Sequence, residues 1–174
     1  LDTVIKILEE LTHICFSGRR IQGKHFLKSN KELIAINETR QNMMRYLGIH
    51  TIILDLIKDG IHILSVKDDQ IEKEIKRKIK TCFELCHEAL RYFVYDNQKN
   101  QKVVQKNIDV LFIWFGGNIG QLELIYEIYR NNNKLSGQIS EDFLNHYITL
   151  IHKKGRRAKF LEFFEILLED TNCL

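Results

Sequence analysis

An all-α fold is predicted for this chain, an armadillo-like α-solenoid of about seven to nine helices, and three observations predict it. Proline is absent from 174 residues, although average usage would give about nine. Apolar residues recur at spacings of three and four along most of the sequence. Glycine, asparagine or paired acidic residues stand where those runs begin and end. Proline breaks helix interiors and marks turns and edge strands, so its absence fits a chain that spends most of its length in helices.

Leu1, Val4, Ile5, Leu8, Leu11 and Cys15 form the first amphipathic stripe, expected to end near Gly18. The segment from Phe16 to Asn30 has little periodicity and reads as a loop. Asn30 or Asn37 is suited to cap the next helix, which carries Met43, Met44 and Leu47 and stops at Gly48. Thr51 opens a short helix, Ile52 to Lys58, closed by Gly60. Asp68 and Asp69 stand at the start of the longest helix, roughly Gln70 to Tyr95. Its stripe is Ile71, Ile75, Ile79, Cys82, Phe83, Cys86, Ala89, Leu90 and Phe93; the face from Glu72 to Lys80 is charged and solvated.

Val103 and Val104 belong to a short helix after Asn97. Ile108 to Phe115, apolar nearly all round and holding the one tryptophan, Trp114, is expected to be the most buried element. Gly116, Gly117 and Gly120 surround a boundary before Leu122, Leu124, Ile125, Ile128 and Tyr129. Asn131 to Gly137 reads as a turn. Ser140 caps a helix opened by Glu141 and Asp142, which carries Phe143, Leu144, Tyr147, Ile148 and Ile151 and ends at Gly155. A last helix holds Phe160, Leu161, Phe163, Phe164, Leu167 and Leu168. Several helices are apolar on more than one side, which fits stacked layers, although no strict period of about 40–47 residues is visible.

Hydrophobic residues make up 44% and charged residues 28% of the sequence, ordinary for a globular domain. The net charge of +3 is too balanced for the basic stripe of a nucleic-acid binder. No apolar run approaches the roughly 18 residues of a membrane span. Cys15, Cys82, Cys86 and Cys173 show no pairing pattern and read as reduced thiols of a cytosolic segment, cut from something longer.

Catalytic chemistry is not visible. Cys82 and Cys86, one turn apart with His87 adjacent, lack the second pair of a zinc site and read as buried structural thiols. His146 and His152 do not share a helix face, and no histidine has a nucleophile and acid beside it. Gly116-Gly117-Asn118-Ile119-Gly120 lacks the lysine and the preceding strand of a phosphate loop. No acidic spacing matches a calcium-binding loop. No cofactor or metal is expected. The densest basic cluster is Lys153, Lys154, Arg156, Arg157 and Lys159; it reads either as a contact for an acidic partner or neighbouring domain, or as a solvated helix end complementing the dipole.

Three local patterns together resemble one family. Arg40-Gln41-Asn42-Met43-Met44-Arg45-Tyr46-Leu47-Gly48-Ile49-His50 is similar to a basic helix ending in Gly-x-His, and Asn97-Gln98-Lys99-Asn100-Gln101 to an Asn-x-x-Asn-Gln element. Asn131-Asn132 through Ile139-Ser140-Glu141 to His152, Gly155-Arg156 and Phe160-Leu161 is similar to the helix pair that follows. These resemble the homology domain shared by inositol-trisphosphate and ryanodine receptors, the RIH domain of intracellular calcium-release channels. The resemblance covers about residues 40–168; it divides the chain into an amino-terminal helix and basic loop (1–39), the RIH-like region (40–168) and a tail (169–174).

The resemblance implies a cytosolic solenoid segment of a tetrameric channel in the endoplasmic reticulum membrane. Its partners would be the other cytosolic domains of the same channel. The copy of the domain nearest the amino terminus binds inositol phosphate through a basic cluster. At the matching positions Arg40, Arg45 and Lys99 are basic here, but Glu38, Asn42, Asn97 and Gln98 are not. Losing those charges should abolish tight polyphosphate binding, so the central copy is the better match. The alternatives are a free-standing helical adaptor for a peptide or acidic partner, and an inositol-phosphate-binding copy of the same domain.

Overall fold

The computed structural model describes residues 1–15, 37–65, 73–112, 119–154, 160, 161, 163–165 and 168. Every regular element among them is helical. In chain order these are α1 (Asp2–Ile14), α2 (Glu38–Tyr46), α3 (Ile49–Ser65), α4 (Lys73–Val94) and α5 (Gln98–Gln105). They continue with α6 (Ile108–Phe112), α7 (Gln121–Tyr129), α8 (Asn133–Ser136) and α9 (Glu141–Lys154). Residues 160, 161, 163–165 and 168 are helical as well. The all-α solenoid expectation holds.

The helices fall into triplets that begin with a capping asparagine. Asn37 accepts from Arg40 N at 3.0 Å at the start of α2, Asn97 from Asn100 N at 3.2 Å at α5, and Asn132 from Leu135 N at 3.3 Å at α8. Such caps satisfy amides that the first helical turn leaves without partners. Each asparagine also donates its backbone N–H to the end of a preceding helix: Asn97 to Val94 O at 3.1 Å, Asn132 to Tyr129 O at 3.2 Å, Asn37 to Cys15 O at 3.2 Å. The units are therefore α2–α3–α4, α5–α6–α7, and α8–α9 with the helical residues that follow. α1 takes, before α2, the place that α4 takes before α5 and α7 before α8. Between Cys15 and Asn37 lie twenty-one residues (16–36), whereas the other two junctions use two each, 95–96 and 130–131. Unequal junctions and helices of different length hide the repeat from a search for a fixed period.

α4 is the central element and packs against α1, α3 and α7. From Ile79 onward it is buried on most sides, through Cys82, Phe83, Leu85, Cys86, His87, Ala89, Leu90, Tyr92, Phe93 and Val94. Each fully buried large apolar side chain contributes about 1.5–3 kcal/mol. The stripe expected to start earlier does not: Ile75 is 40% exposed, because the first turns of α4 (Lys73–Arg77) stand out in solvent. Lys78 reaches Asp2 of α1 at 2.9 Å.

Gly60 does not close a helix as expected. α3 runs through it from Ile49 to Ser65. A Cβ at Gly60 would lie 2.6 Å from Cε1 of buried Phe83, so this glycine lets α3 approach α4 closely. The expected turn from Asn131 to Gly137 contains a one-turn helix, α8, capped by Asn132. Gly48, with φ of +69°, ends α2 as read from the sequence, and Gly120, with φ of +88°, precedes α7. Ile108, Leu111 and Phe112 are buried; Trp114 lies outside the described residues. Ser140 accepts from Phe143 N at 3.2 Å, the expected cap of α9. Phe112, Tyr129, Phe143, Tyr147 and Phe163 interlock at centroid distances from 4.8 to 6.3 Å and close the carboxyl-terminal unit.

Candidate functional site

The most ordered polar structure lies where the units join. Gln41 of α2 is 1% exposed and donates Nε2 to Tyr92 O at 2.7 Å and Tyr95 O at 3.0 Å, the last carbonyls of α4. Its Oε1 accepts Nδ2 of Asn97 at 3.0 Å. One unit further on, the same geometry recurs. Gln101 of α5, also 1% exposed, donates to Glu127 O and Arg130 O, both at 2.9 Å, and accepts from Asn132 Nδ2 at 2.8 Å. Each glutamine thus binds the end of one helix to the start of the next from a third helix. Helix ends leave carbonyls without intrahelical partners, and here a primary amide from the first helix of the same unit supplies the donors.

The local backbone is built for this. Asp96 (φ +47°) and Asn131 (φ +56°) adopt the left-handed conformation that turns the chain sharply before each capping asparagine. The two turns are joined, because Asn131 Nδ2 donates to Asp96 Oδ1 at 3.1 Å and Gln98 Nε2 to Asn131 O at 3.2 Å. Asn100 Nδ2 donates to Phe93 O at 2.8 Å. Glu127, 3% exposed, pairs with Arg130 at 3.3 Å; burial raises its carboxyl above the usual range, and Arg130 offsets this in part. Ser136 occupies the position of Gln41 and Gln101 in α8. It reaches only its own junction, Tyr129 O at 3.2 Å and Asn132 O at 3.3 Å.

Of the positions compared with a polyphosphate site, Arg45, Asn42 and Asn97 meet in this same corner, and amides occupy it. Arg45 Nη1 donates to Asn42 Oδ1 at 2.8 Å and to Asn100 Oδ1. Arg40 Nη1 is directed to Ile14 O at 3.4 Å, Gln98 is engaged by Asn131, and Lys99 is exposed. A guanidinium already held by two amide oxygens, beside neutral Asn97 and Asn42, offers little to a phosphate cluster.

Cys82 and Cys86 are buried, 9% and 1% exposed, as expected of structural thiols. Burial pushes the Cys86 and Cys15 thiols up to about 12, the wrong direction for a thiolate ligand or nucleophile. Cys15 Sγ faces Met44 Sδ at 3.0 Å in the α1–α2 contact. His87 is 1% exposed with Nδ1 2.7 Å from Phe83 O, and burial holds its pKa down to about 4. His146 packs edge-on to Phe112 at 5.3 Å, and His152 is exposed. Among the described residues no three His, Cys, Asp or Glu side chains converge on a possible metal position. Of the basic cluster, Lys153 is exposed near the end of α9 and Lys154 is its last residue; Arg156, Arg157 and Lys159 lie outside the described residues.

Sequence reading found the asparagines but not the glutamines they serve. A signal existed: each capping asparagine is followed four residues later by a side chain that binds helix-end carbonyls, Asn37–Gln41, Asn97–Gln101 and Asn132–Ser136.

Comparison with known proteins accords with this architecture. The chain is 25% identical over 154 residues, 86% of its length, to the inositol 1,4,5-trisphosphate receptor itr-1 of Caenorhabditis elegans. It spans 5% of that protein. The model of the RYDR_ITPR family, the RIH domain, matches residues 5–170. With nearly all of its helices inside that match, the chain belongs to the RIH domain family of the inositol-trisphosphate and ryanodine receptors.

Proposed function

We propose that this chain is a cytosolic solenoid segment of an inositol-trisphosphate receptor-like calcium-release channel. In that role it carries ligand-induced movement from one part of a tetrameric channel towards the pore, at the cytosolic face of the endoplasmic reticulum. The observation that carries the reading is the pair of amide clamps. Each ties two helix ends to a third helix by directional bonds, so a displacement imposed on α2 is passed through Gln41 to α4 and α5, and through Gln101 to α7 and α8. A ligand shifts such an equilibrium only through contacts that differ between states, and a stiff element between the sites is what makes a distant difference felt.

The outer side of α2 and α3 supports a regulatory surface as well. Tyr46 is 83%, Leu47 64%, Ile52 60% and Met43 48% exposed, four apolar side chains left in solvent around the α2–α3 turn. The basic run Lys153, Lys154, Arg156, Arg157 and Lys159 is proposed as a second contact, for an acidic neighbour.

The test is the full-length channel carrying Gln41→Leu and Gln101→Leu together, in cells without other such channels. Ligand affinity is expected to stay within about twofold while ligand-evoked calcium release falls severalfold. Unchanged release would refute the relay. A separate calorimetric titration with inositol trisphosphate addresses the binding alternative: micromolar or tighter binding abolished by Arg45→Gln would favour a phosphate site over a relay.

A further inference from the structure

The joint between the second and third units holds an open cleft that the amide clamps do not use. Its volume is about 280 Å³, and it lies between α6 and α9 with buried Tyr129 of α7 among its walls. Aromatic rings shape the inside. Phe112 meets Phe143 at 5.0 Å and 68°, and His146 at 5.3 Å and 82°, so rings set nearly at right angles form a corner.

The rim is made differently. Asp109 of α6, Gln138 before α9 and Asp142 in its first turn all line the cleft and are exposed. Neither carboxylate forms a salt bridge or a side-chain hydrogen bond with a described residue. In a chain of net charge +3, the described lining therefore holds two carboxylates and no lysine or arginine.

Three features define what such a cleft accepts. Uncompensated carboxylates call for a cation. Asp109, Asp142 and His146 do not converge on a possible metal position, and acceptors spread apart suit a delocalised cation better than a point charge. The volume falls just short of the roughly 300 Å³ at which sites for drug-sized ligands begin, so the room is that of one side chain. A guanidinium meets all three conditions. It offers five N–H donors to the rim, its weakly hydrated face stacks on aromatic rings, and its methylene stem lies on apolar walls such as Ile108 and Phe112.

We propose that this cleft takes the side chain of an arginine from a basic peptide segment of a partner protein. The guanidinium is bonded by Asp109 and Asp142, and the stem lies against Phe112. The site does not depend on the relay, since the cleft would take such a segment whether or not α2 passes movement to α8.

N-acetyl-arginine amide is the probe, titrated into the nitrogen-15-labelled chain and followed by amide chemical shifts. Saturating shifts are expected at Asp109 and from Gln138 to Phe143, with a Kd on the order of 1 mM, as befits a single anchor of a longer contact. N-acetyl-citrulline amide has nearly the same shape without the charge. It is expected to bind at least about tenfold more weakly, as is the arginine probe to Asp109→Asn or Asp142→Asn. The citrulline comparison uses the unaltered chain and so does not depend on the variants folding. Equal binding of citrulline, shifts that stay linear in concentration or scatter over the surface, or folded variants that bind as the parent does would each overturn the proposal. Equal binding of N-acetyl-lysine amide would overturn the assignment to arginine.

Discussion

Replacing Gln101 with leucine is the most direct probe of the clamps, because the two side chains are close in volume and little cavity is made. Gln101 is 1% exposed, and the change removes bonds of 2.9 Å to Glu127 O, 2.9 Å to Arg130 O and 2.8 Å from Asn132 Nδ2. Arg130 is half-exposed, so water can reach its carbonyl; Glu127 O and Asn132 Nδ2 are left buried without partners. Each orphaned buried group costs about 1–3 kcal/mol, and the added apolar side chain returns about 1 kcal/mol. The expected loss is about 3 kcal/mol, or about 6–12 °C in Tm for a domain of this size. Urea unfolding followed by circular dichroism measures it, with the slope unchanged if only stability has moved. Gln98→Leu is the control, since Gln98 makes one exposed bond and is expected to cost under about 0.5 kcal/mol. Adding Asn132→Leu to Gln101→Leu should cost less than the two separately, by about 1 kcal/mol or more. A Gln101→Leu chain as stable as Gln98→Leu would show that the clamps are ornaments on an apolar fold.

Gly60→Ala would gain up to about 1 kcal/mol of helix propensity but drives a methyl to 2.6 Å from the buried Phe83 ring. A net loss of about 1–2 kcal/mol is expected, reversed by Phe83→Leu in the same chain; additive losses would refute the contact. For His87, burial holds the pKa at about 4, below the unfolded 6.5, so the folded state keeps the neutral ring. That contribution, about 3 kcal/mol, is complete above pH 6.5 and is lost as pH falls through 4. His87→Gln is expected to flatten the urea midpoint between pH 6.5 and 4, and an unchanged slope would count against it. The thiols of Cys15 and Cys86, both pushed up to about 12, should label with a maleimide only after unfolding; rapid labelling in the native state would contradict their burial.

What was legible in the sequence was whatever a single helix reveals about itself. Stripes such as Ile79–Cys82–Phe83–Cys86 report burial at a fixed period, and caps such as Ser140 and stops such as Gly48 act within one turn. Gly60 misled because a glycine that ends a helix and one that admits a neighbouring ring look alike until Phe83 is placed across from it. α8 was hidden because four residues are too few to display a period. Gln41 and Gln101 were hidden because their partners lie tens of residues away, at Tyr92 and Glu127, and no local rule links them. The corner formed by Arg45, Asn97 and Gln98 was recognisable by resemblance; that amides, not cations, knit it together needed coordinates.

Why the junctions use buried amides at all is a question of geometry more than of strength. A junction packed by apolar side chains alone, its helix ends satisfied by water, would need no buried amide, and by net stability the difference between two such complete arrangements is modest. Apolar contacts, however, leave a helix free to slide or rotate by small amounts against its neighbour. A carboxamide donating to two carbonyls and accepting one N–H fixes distance and rotation together. Because Gln101 belongs to α5, and α5 is itself positioned by Asn97 and Gln41, the second clamp cannot be set without the first. Serial dependence of this kind links α2 to α8 through directional bonds, and among the described residues Ser136, which reaches Tyr129 and Asn132 of its own junction, ends the series. A stiff edge with defined ends is what a segment needs if it is to pass on movement rather than absorb it.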